Sequence, residues 1–415
     1  MPTKIYMHLI LKSRTISRYM KKVCVYKSLL NYRKKGMSSF HTPGHKNNFL
    51  KLKKLINLDY TELKDTDNLY EPLESIKYTE EKASKIFRSG HSLISATGCT
   101  LCVQTMIKLF CKNGGKVICN RMMHKSALNI MQLLNITPIC LKLKVDKTTN
   151  FYLPPDCNEI EHILKKSKDV SAVYITSPDY YGTIADIGNI SKICKIYNVP
   201  LLVDNAHGSH LAFFKPNLHP LTLGADAVAD SLHKTLPVLT GGALLHLKDK
   251  SLLTKAKKCM EFFGSSSPSF LIMASIDICL DWLINHGESE FLKLRKKTNE
   301  INILAKSRGI VVPLHTRDDT RLCFNVKSIG LTGEDCANHF RKYKVEPEFF
   351  SEDFVVLIPS PFNTKKDFSR LKEGIKTLCK KNSVSNIDLT KNYVMNLPKN
   401  LFANYPPGVL RVLDI

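Results

Sequence analysis

The segment from Val199 to His210 reads Val-Pro-Leu-Leu-Val-Asp-Asn-Ala-His-Gly-Ser-His. An apolar run that closes on a carboxylate is what a buried parallel strand looks like when it delivers an acid to the carboxyl edge of a sheet. Similar runs recur at Lys116 to Cys119, Thr137 to Lys144, Ala172 to Thr176, Pro200 to Asp204, Ala227 to Ala229 and Ala243 to Leu247. Helical patterns such as Leu101 to Cys111 and Ile187 to Tyr197 separate most of them. This alternation predicts an α/β fold with a mainly parallel sheet covered by helices. Active sites of open α/β sheets gather at the carboxyl edge, which makes Asp204 and the residues after it the first place to look for chemistry.

A second segment, Ser231-Leu232-His233-Lys234-Thr235-Leu236, follows the short strand at Ala227 to Ala229. Taken singly, an Asp at a strand end is an ordinary cap and a Lys an ordinary solvated charge. Together they match the needs of pyridoxal 5'-phosphate. A carboxylate beside the pyridine nitrogen keeps that nitrogen protonated, so the ring accepts electrons from a substrate carbanion. A lysine must also condense with the aldehyde, which takes a neutral amine in a desolvated or cationic setting. Asp204 and Lys234 are the candidates for these roles, with His233 and Ser231 beside the lysine.

The pattern extends along the chain through Phe40-His41-Thr42-Pro43-Gly44-His45-Lys46, Asp59-Tyr60-Thr61-Glu62-Leu63, Thr66-Asp67-Asn68-Leu69-Tyr70 and Met123-His124-Lys125-Ser126. It continues with Ser177-Pro178-Asp179-Tyr180-Tyr181-Gly182, the two segments above, Ser265-Ser266-Ser267-Pro268-Ser269 and Tyr405-Pro406-Pro407-Gly408. In these motifs the chain resembles the fold-type-I, pyridoxal-phosphate-dependent ornithine/lysine/arginine decarboxylases, particularly their shorter bacterial form. The resemblance implies an aspartate-aminotransferase-like large domain with a smaller α+β C-terminal lobe, and decarboxylation of a basic amino acid to a polyamine-type amine. It also implies a homodimer or higher homo-oligomer.

The resemblance assigns further residues. Gly98-Cys99-Thr100 opens a helix whose free N–H groups and positive dipole end would cradle the phosphate, although a plain helix N-cap gives the same three residues. Cys99 stands where the family has Ser, a stronger donor. His124 would stack on the pyridine ring, Ala206 would pack beneath it and His207 would face the same pocket. Ser231 and His233 would contact the phosphate or the substrate, and Ser265 to Ser267 would complete the phosphate site of a neighbouring subunit. His233 or Lys234 would reprotonate the α-carbon. A basic substrate needs a polar or negative distal pocket, for which Asp179, Asp67 and Glu71 are candidates, and arginine is the favoured substrate by analogy with the shorter relatives.

Three positions depart from the family pattern: Asn205 for Glu, Asp179 for Thr and Ser177 for Asn. The chain also stops soon after Tyr-Pro-Pro-Gly, where longer relatives continue. Other fold-type-I reactions, aldol-type cleavage or transamination, share the Asp and Lys, and a degenerate non-catalytic paralogue fits the departures.

The expected organisation is a basic N-terminal extension and arm helix over 1–36, a large cofactor-binding domain over 37–250, a linking helical segment over 251–306, a small α+β lobe over 307–380 and a tail over 381–415. In the lobe, Leu322 to Val326 and Phe354 to Ile358 are strand candidates. The chain carries 61 Lys and Arg against 37 Asp and Glu, but 14 of the basic residues and none of the acidic ones precede residue 59. The remaining excess is lysine spread along the chain without aromatic interleaving, which argues against a nucleic-acid partner. Residues 1–22 read either as a targeting extension or as an overextended start with Met20 as initiator. No uninterrupted apolar run reaches the roughly 20 residues of a membrane span. Thirteen scattered cysteines with no signal peptide point to reduced thiols and a cytoplasmic setting. Cys99 and Cys102 form a lone C-x-x-C, read as packing, so no metal is expected.

Overall fold

The computed structural model describes residues 33–41, 43–46, 48, 59–62, 66–313 and 317–378. The chain divides into residues 1–38 and 39–415. In the first unit the described residues form the end of a helical turn that closes at Gly36, whose φ of 60° is where a Cβ would be strained. The rest of the expected arm, residues 1–22 and the tail with its Tyr-Pro-Pro-Gly motif lie outside the described residues. A short strand, β1 (Ser38–Phe40), stands at the junction of the two units in sequence.

A seven-stranded sheet organises the second unit. Its strands are β2 (His91–Ser95), β3 (Lys116–Cys119), β4 (Thr137–Cys140), β5 (Val170–Thr176), β6 (Leu201–Asp204), β7 (Ala227–Asp230) and β8 (Ala243–Leu247), in the order β2-β8-β7-β6-β5-β3-β4. All pairings are parallel except those of β8, which runs antiparallel to both neighbours. The six strands read from sequence are all present. His91–Ser95 escaped notice because its polar ends hide a strand whose five residues are all buried.

Period-two alternation sends successive side chains of the central strands to opposite faces. Ala172, Tyr174, Leu202, Ala227 and Ala229 pack into one core with helices α2 (Cys99–Phe110), α3 (Lys125–Leu133) and α7 (Leu253–Phe263). Val173, Ile175, Leu201, Val203 and Val228 face α4 (Cys157–Lys166) and α5 (Ile187–Ile196) in another. The sheet is thus apolar on both faces, and its strands read as continuous hydrophobic runs.

Helix α8 (Phe270–Ser307) has 38 residues and leads to a three-stranded antiparallel sheet in the order β11 (Phe349–Phe350), β12 (Phe354–Leu357), β9 (Leu322–Asn325). Helices α9 (Gly333–Lys342) and α10 (Lys365–Lys376) cover it, with β10 (Val345–Pro347) alongside. One stretch of α8 is long and apolar enough to cross a membrane. Here it is a core helix: Ile276, Leu280, Leu283, Phe291 and Ile301 join Phe40, Phe87, Phe324, Phe340 and Leu371 in a single cluster. The later strands and helices therefore share a core with the first half of the unit, which fixes the residues before β9 against the edge of the large sheet.

Helix α1 (Ser75–Phe87) is anchored by Glu80, which is 1% exposed. Its Oε1 accepts from Lys257 Nζ at 2.7 Å and from the Ile94 N–H at 3.0 Å, and Lys257 also donates to the Leu69 carbonyl at 2.7 Å. Glu80→Ala leaves the buried Lys257 ammonium without its anion, so urea denaturation is expected to show a loss of about 3–5 kcal/mol. Replacing Lys257 by Met in the same chain should recover most of it.

Candidate active site

Asp204 ends β6 with 2% exposure. Parallel register sets it beside Thr176 of β5 and Ala229 of β7, at the carboxyl edge where three strands stop together. Its Oδ2 accepts from the Tyr174 hydroxyl at 2.9 Å and its Oδ1 from the Ala206 N–H at 3.2 Å. Both oxygens retain lone pairs for a further donor. Asp204 in turn holds the Tyr174 phenol far above its usual range, after the larger effect of burial.

Lys234 sits in a single helical turn, α6 (Leu232–Thr235), that follows β7 directly. Glycines let three loops close around it. The Gly44 N–H donates to the His233 carbonyl at 2.8 Å, and a Cβ on Gly44 would stand 2.7 Å from the Leu236 carbonyl oxygen. The Gly98 N–H donates to the Gly241 carbonyl at 2.7 Å, which joins the start of α2 to the loop after α6. Lys234 Nζ lies 3.1 Å from His207 Nε2, and the two terminal nitrogens of Arg321 approach His207 Nδ1 at 3.4 and 3.3 Å. The Tyr180 ring meets His207 edge-on at 4.9 Å, while its hydroxyl donates to Glu348 at 2.9 Å. Burial first, then the neighbouring Lys234 and Arg321, push His207 well below the usual imidazole range.

The uncapped start of α2 borders this pocket. Gly98 is its N-cap, makes no side-chain cap, and has open space where a Cβ would project. The site thus offers backbone N–H groups for an anion. Cys99 feels both Asp204 and Lys234, and burial followed by the Asp204 charge pushes its thiol up. Cys102 points into the core and is likewise raised by burial, so the C-x-x-C pair consists of two packed, protonated thiols. His124 caps α3: its Nδ1 accepts from the Ser126 N–H at 3.2 Å. Its ring faces Asp204 and Lys234, and burial lowers its basicity. His233 Nδ1 lies 3.3 Å from both Ser231 Oγ and the Gly242 carbonyl. Gly98, Cys99, Thr100, His124, Asp204, Ala206, His207, Ser231, His233 and Lys234 therefore come from four separate segments to one sheet edge.

The substrate candidates fare differently. Asp67 spends its carboxylate on four backbone N–H groups, those of Asn68, Leu73, Glu74 and Ile76, at 2.9 to 3.0 Å. Against the opposing effect of partial burial, those bonds hold its pKa below the usual carboxylate range, and it works as the organiser of the turn before α1. Asp179 is buried and accepts from the Thr183 N–H at 2.8 Å, closing the turn at Tyr180 to Gly182. Burial raises its pKa, partly offset by Thr183 and Arg317. Glu71 and Ser265 to Ser267 lie outside this pocket's hydrogen-bond network, with Ser265 accepting from the Tyr70 hydroxyl through its carbonyl at 3.0 Å. Sequence reading missed Tyr174, Arg321 and Glu348, which carry no motif and reach the site only through tertiary packing.

Behind the edge, Asp230 is fully buried between His219 Nε2 at 3.0 Å and His246 Nε2 at 3.3 Å, with Asn205 donating at 2.6 Å. This is the one trio of metal-ligand type among the described residues. His219 Nδ1 accepts from the Leu221 N–H at 3.4 Å, so its Nε2 carries the proton given to Asp230. The trio is a hydrogen-bonded carboxylate that anchors the β7 end next to Ser231. Asn205, one of the departures from the family pattern, supplies the third partner of that carboxylate.

Comparison with known proteins matches residues 24–327 to the model of the Orn/Lys/Arg decarboxylase major domain. The chain belongs to this family. It is 30% identical over 351 residues to the uncharacterized protein YaaO of Bacillus subtilis, covering 80% of this chain and 73% of the relative. It is 26% identical over 387 residues to the arginine decarboxylase of the same organism, covering 88% and 78%. Among solved structures, lysine decarboxylase A from Pseudomonas aeruginosa superposes with a TM-score of 0.67 at 14% identity, over 88% of this chain and 61% of the other. The fold is that of the fold-type-I enzymes, and the Orn/Lys/Arg decarboxylases work with pyridoxal 5'-phosphate.

In this family member the His-Thr-Pro-Gly-His-Lys loop is held by its own lysine. Lys46 Nζ donates to the carbonyls of His41 and, at 3.0 Å, Ile358, while Ser360 Oγ donates to the Gly44 carbonyl at 2.5 Å. Burial pushes the Lys46 ammonium down to about 7, against a smaller opposing effect of Glu348. A neutral amine still has two N–H groups for these carbonyls. Below pH 7 both folded and unfolded states carry the proton and the cost of the buried charge is fully present. From about 7 to about 10 only the unfolded chain binds the proton, so this group's contribution to stability rises with pH. Urea midpoints at pH 7 and about pH 9.5 should show the wild type gaining on Lys46→Met across that window; parallel profiles would remove Lys46 as the source.

Proposed function

We propose that this chain decarboxylates a basic amino acid with pyridoxal 5'-phosphate carried on Lys234. The observation that carries the reading is the convergence of a buried carboxylate, a half-buried lysine and an uncapped helix start on one sheet edge. These match the three demands of the cofactor, for a partner to its ring nitrogen, an amine for its aldehyde and donors for its phosphate. When bound, the cofactor supplies an electron sink for the pair left behind as carbon dioxide departs.

The residues divide the work. Asp204, oriented by Tyr174 and the Ala206 N–H, would pair with the ring nitrogen and keep it protonated. Gly98, Cys99 and Thr100 would bind the phosphate through N–H groups at the start of α2, with Ser231 and His233 on its other side. His124 would lie against the ring face and Ala206 beneath it. His233 or Lys234 would deliver the proton that replaces the lost carboxyl group. The half-buried Cys99 thiol is a weaker phosphate donor than a serine hydroxyl, and the backbone would carry most of that contact.

Arginine is the proposed substrate, supported by the arginine decarboxylases among the curated relatives. With Asp67 and Asp179 committed to turns, the distal cation falls to groups that include Glu348, whose partner Tyr180 already bridges to His207. The working form is read as a cytoplasmic homodimer that feeds amine, and so polyamine, synthesis.

Borohydride reduction of the cofactor-loaded protein followed by peptide mapping should place the pyridoxyl group on Lys234; its appearance on another lysine would falsify the assignment. Asp204→Ala is expected to lower cofactor affinity and turnover together, the latter on the order of 100-fold. Carbon dioxide release from arginine, lysine and ornithine decides substrate choice. A preference for lysine or ornithine above about tenfold, roughly 1.4 kcal/mol, overturns arginine and leaves the decarboxylase reading in place.

A further inference from the structure

Lys234 has to be a free base each time it takes up an aldehyde, and the charges around it bear on that. The groups facing His207 are Lys234, Arg321, His124 and His233. A guanidinium has only N–H donors and no lone pair to offer. Its two contacts with His207 Nδ1, at 3.4 and 3.3 Å, can therefore only be donations, and Nδ1 must be the bare nitrogen of the ring. An imidazolium would set N–H against N–H there and add a second positive charge beside the Arg321 guanidinium in a buried pocket. The one ring proton consequently sits on Nε2, which lies 3.1 Å from Lys234 Nζ. With Nε2–H as donor, the amine must accept, and an amine accepts only through the lone pair of its neutral form.

We infer that Arg321 is a positioning residue for the Schiff-base lysine: it fixes the tautomer of His207, whose Nε2–H then holds Lys234 as a free base. The inference rests on Lys234 being the cofactor lysine. Arg321 is well placed for this. It is 5% exposed, precedes β9, and its terminal nitrogens also reach the Tyr180 carbonyl at 3.4 Å and the His207 carbonyl at 3.5 Å. Gly182, with φ +92°, allows the approach, because a Cβ there would come within 2.9 Å of Arg321 Cγ. His207 in this arrangement is a donor toward Lys234 and not its base.

The test begins with the full-length wild-type chain stripped of cofactor, labelled with ¹⁵N-histidine, with His207 assigned by its loss in His207→Gln. The expected spectrum at pH 8 shows a protonated Nε2 and a bare Nδ1. A protonated Nδ1 overturns the inference without any reference to a variant. Second, the rate at which the stripped protein captures pyridoxal phosphate, trapped by borohydride, is measured against pH. Arg321→Met should move the profile to the alkaline side and slow capture at neutral pH about tenfold, with Arg321→Lys, which keeps one donor for Nδ1, recovering part of the rate. An unmoved profile in Arg321→Met, or one in which Arg321→Lys behaves as Met does, counts against the inference. If the pyridoxyl group maps to another lysine, the functional reading fails instead, and the histidine spectrum still reports the tautomer.

Discussion

A carboxylate at the end of a fully buried strand is tolerated only if donors are waiting for it, and the candidate site is built around that requirement at Asp204. Tyr174 comes from the neighbouring strand, two residues before the strand's end, and its hydroxyl meets Asp204 at 2.9 Å. The parallel register of β5 and β6 makes this contact, and the same register stops both strands at one edge. Slipping either strand by one residue would turn Tyr174 to the opposite face of the sheet and leave the acid without its partner. The network behind the edge repeats the device: Asp230, at the end of β7, is held by His219, His246 and Asn205. Two adjacent strands thus deliver two buried acids, one committed to the scaffold and one with lone pairs left for a ligand.

The basic groups are arranged by a different rule. Lys234, Arg321 and Lys46 occupy one small region with His207, His233 and His45, and burial there weighs against every added positive charge. The imidazoles respond by staying neutral, with His207, His233, His124 and His45 all lowered in basicity, mainly by burial. Neutral imidazoles act as directional donors and acceptors whose tautomer is chosen by their neighbours. Arg321 makes that choice for His207, and Gly182 clears the space for Arg321 to do so. The shared core of α8, β9 and the later helices matters for the same reason. It sets the chain before β9 firmly enough for one arginine to reach across to a histidine more than a hundred residues earlier in sequence.

The sequence by itself determined the class of fold and pointed to the sheet edge that forms the candidate site. Apolar runs such as Leu201 to Asp204 have no stable place except the interior of a parallel sheet, and an acid at their end must appear at the carboxyl edge. That logic placed β3, β5, β6, β7 and β8, and the recurring motifs drew Gly98, His124, Asp204 and Lys234 toward one pocket. Local pattern says less about the substrate candidates. Asp179 and Asp67 lie in motif segments, and both carboxylates accept from backbone N–H groups of their own turns, a use of Asp that composition does not reveal. Tertiary structure alone decided the rest. The antiparallel course of β8, the burial of His91–Ser95 and the arrival of Tyr174, Glu348 and Arg321 depend on which elements lie side by side. Those are contacts between residues far apart in sequence, where periodicity is silent and only packing selects the partner.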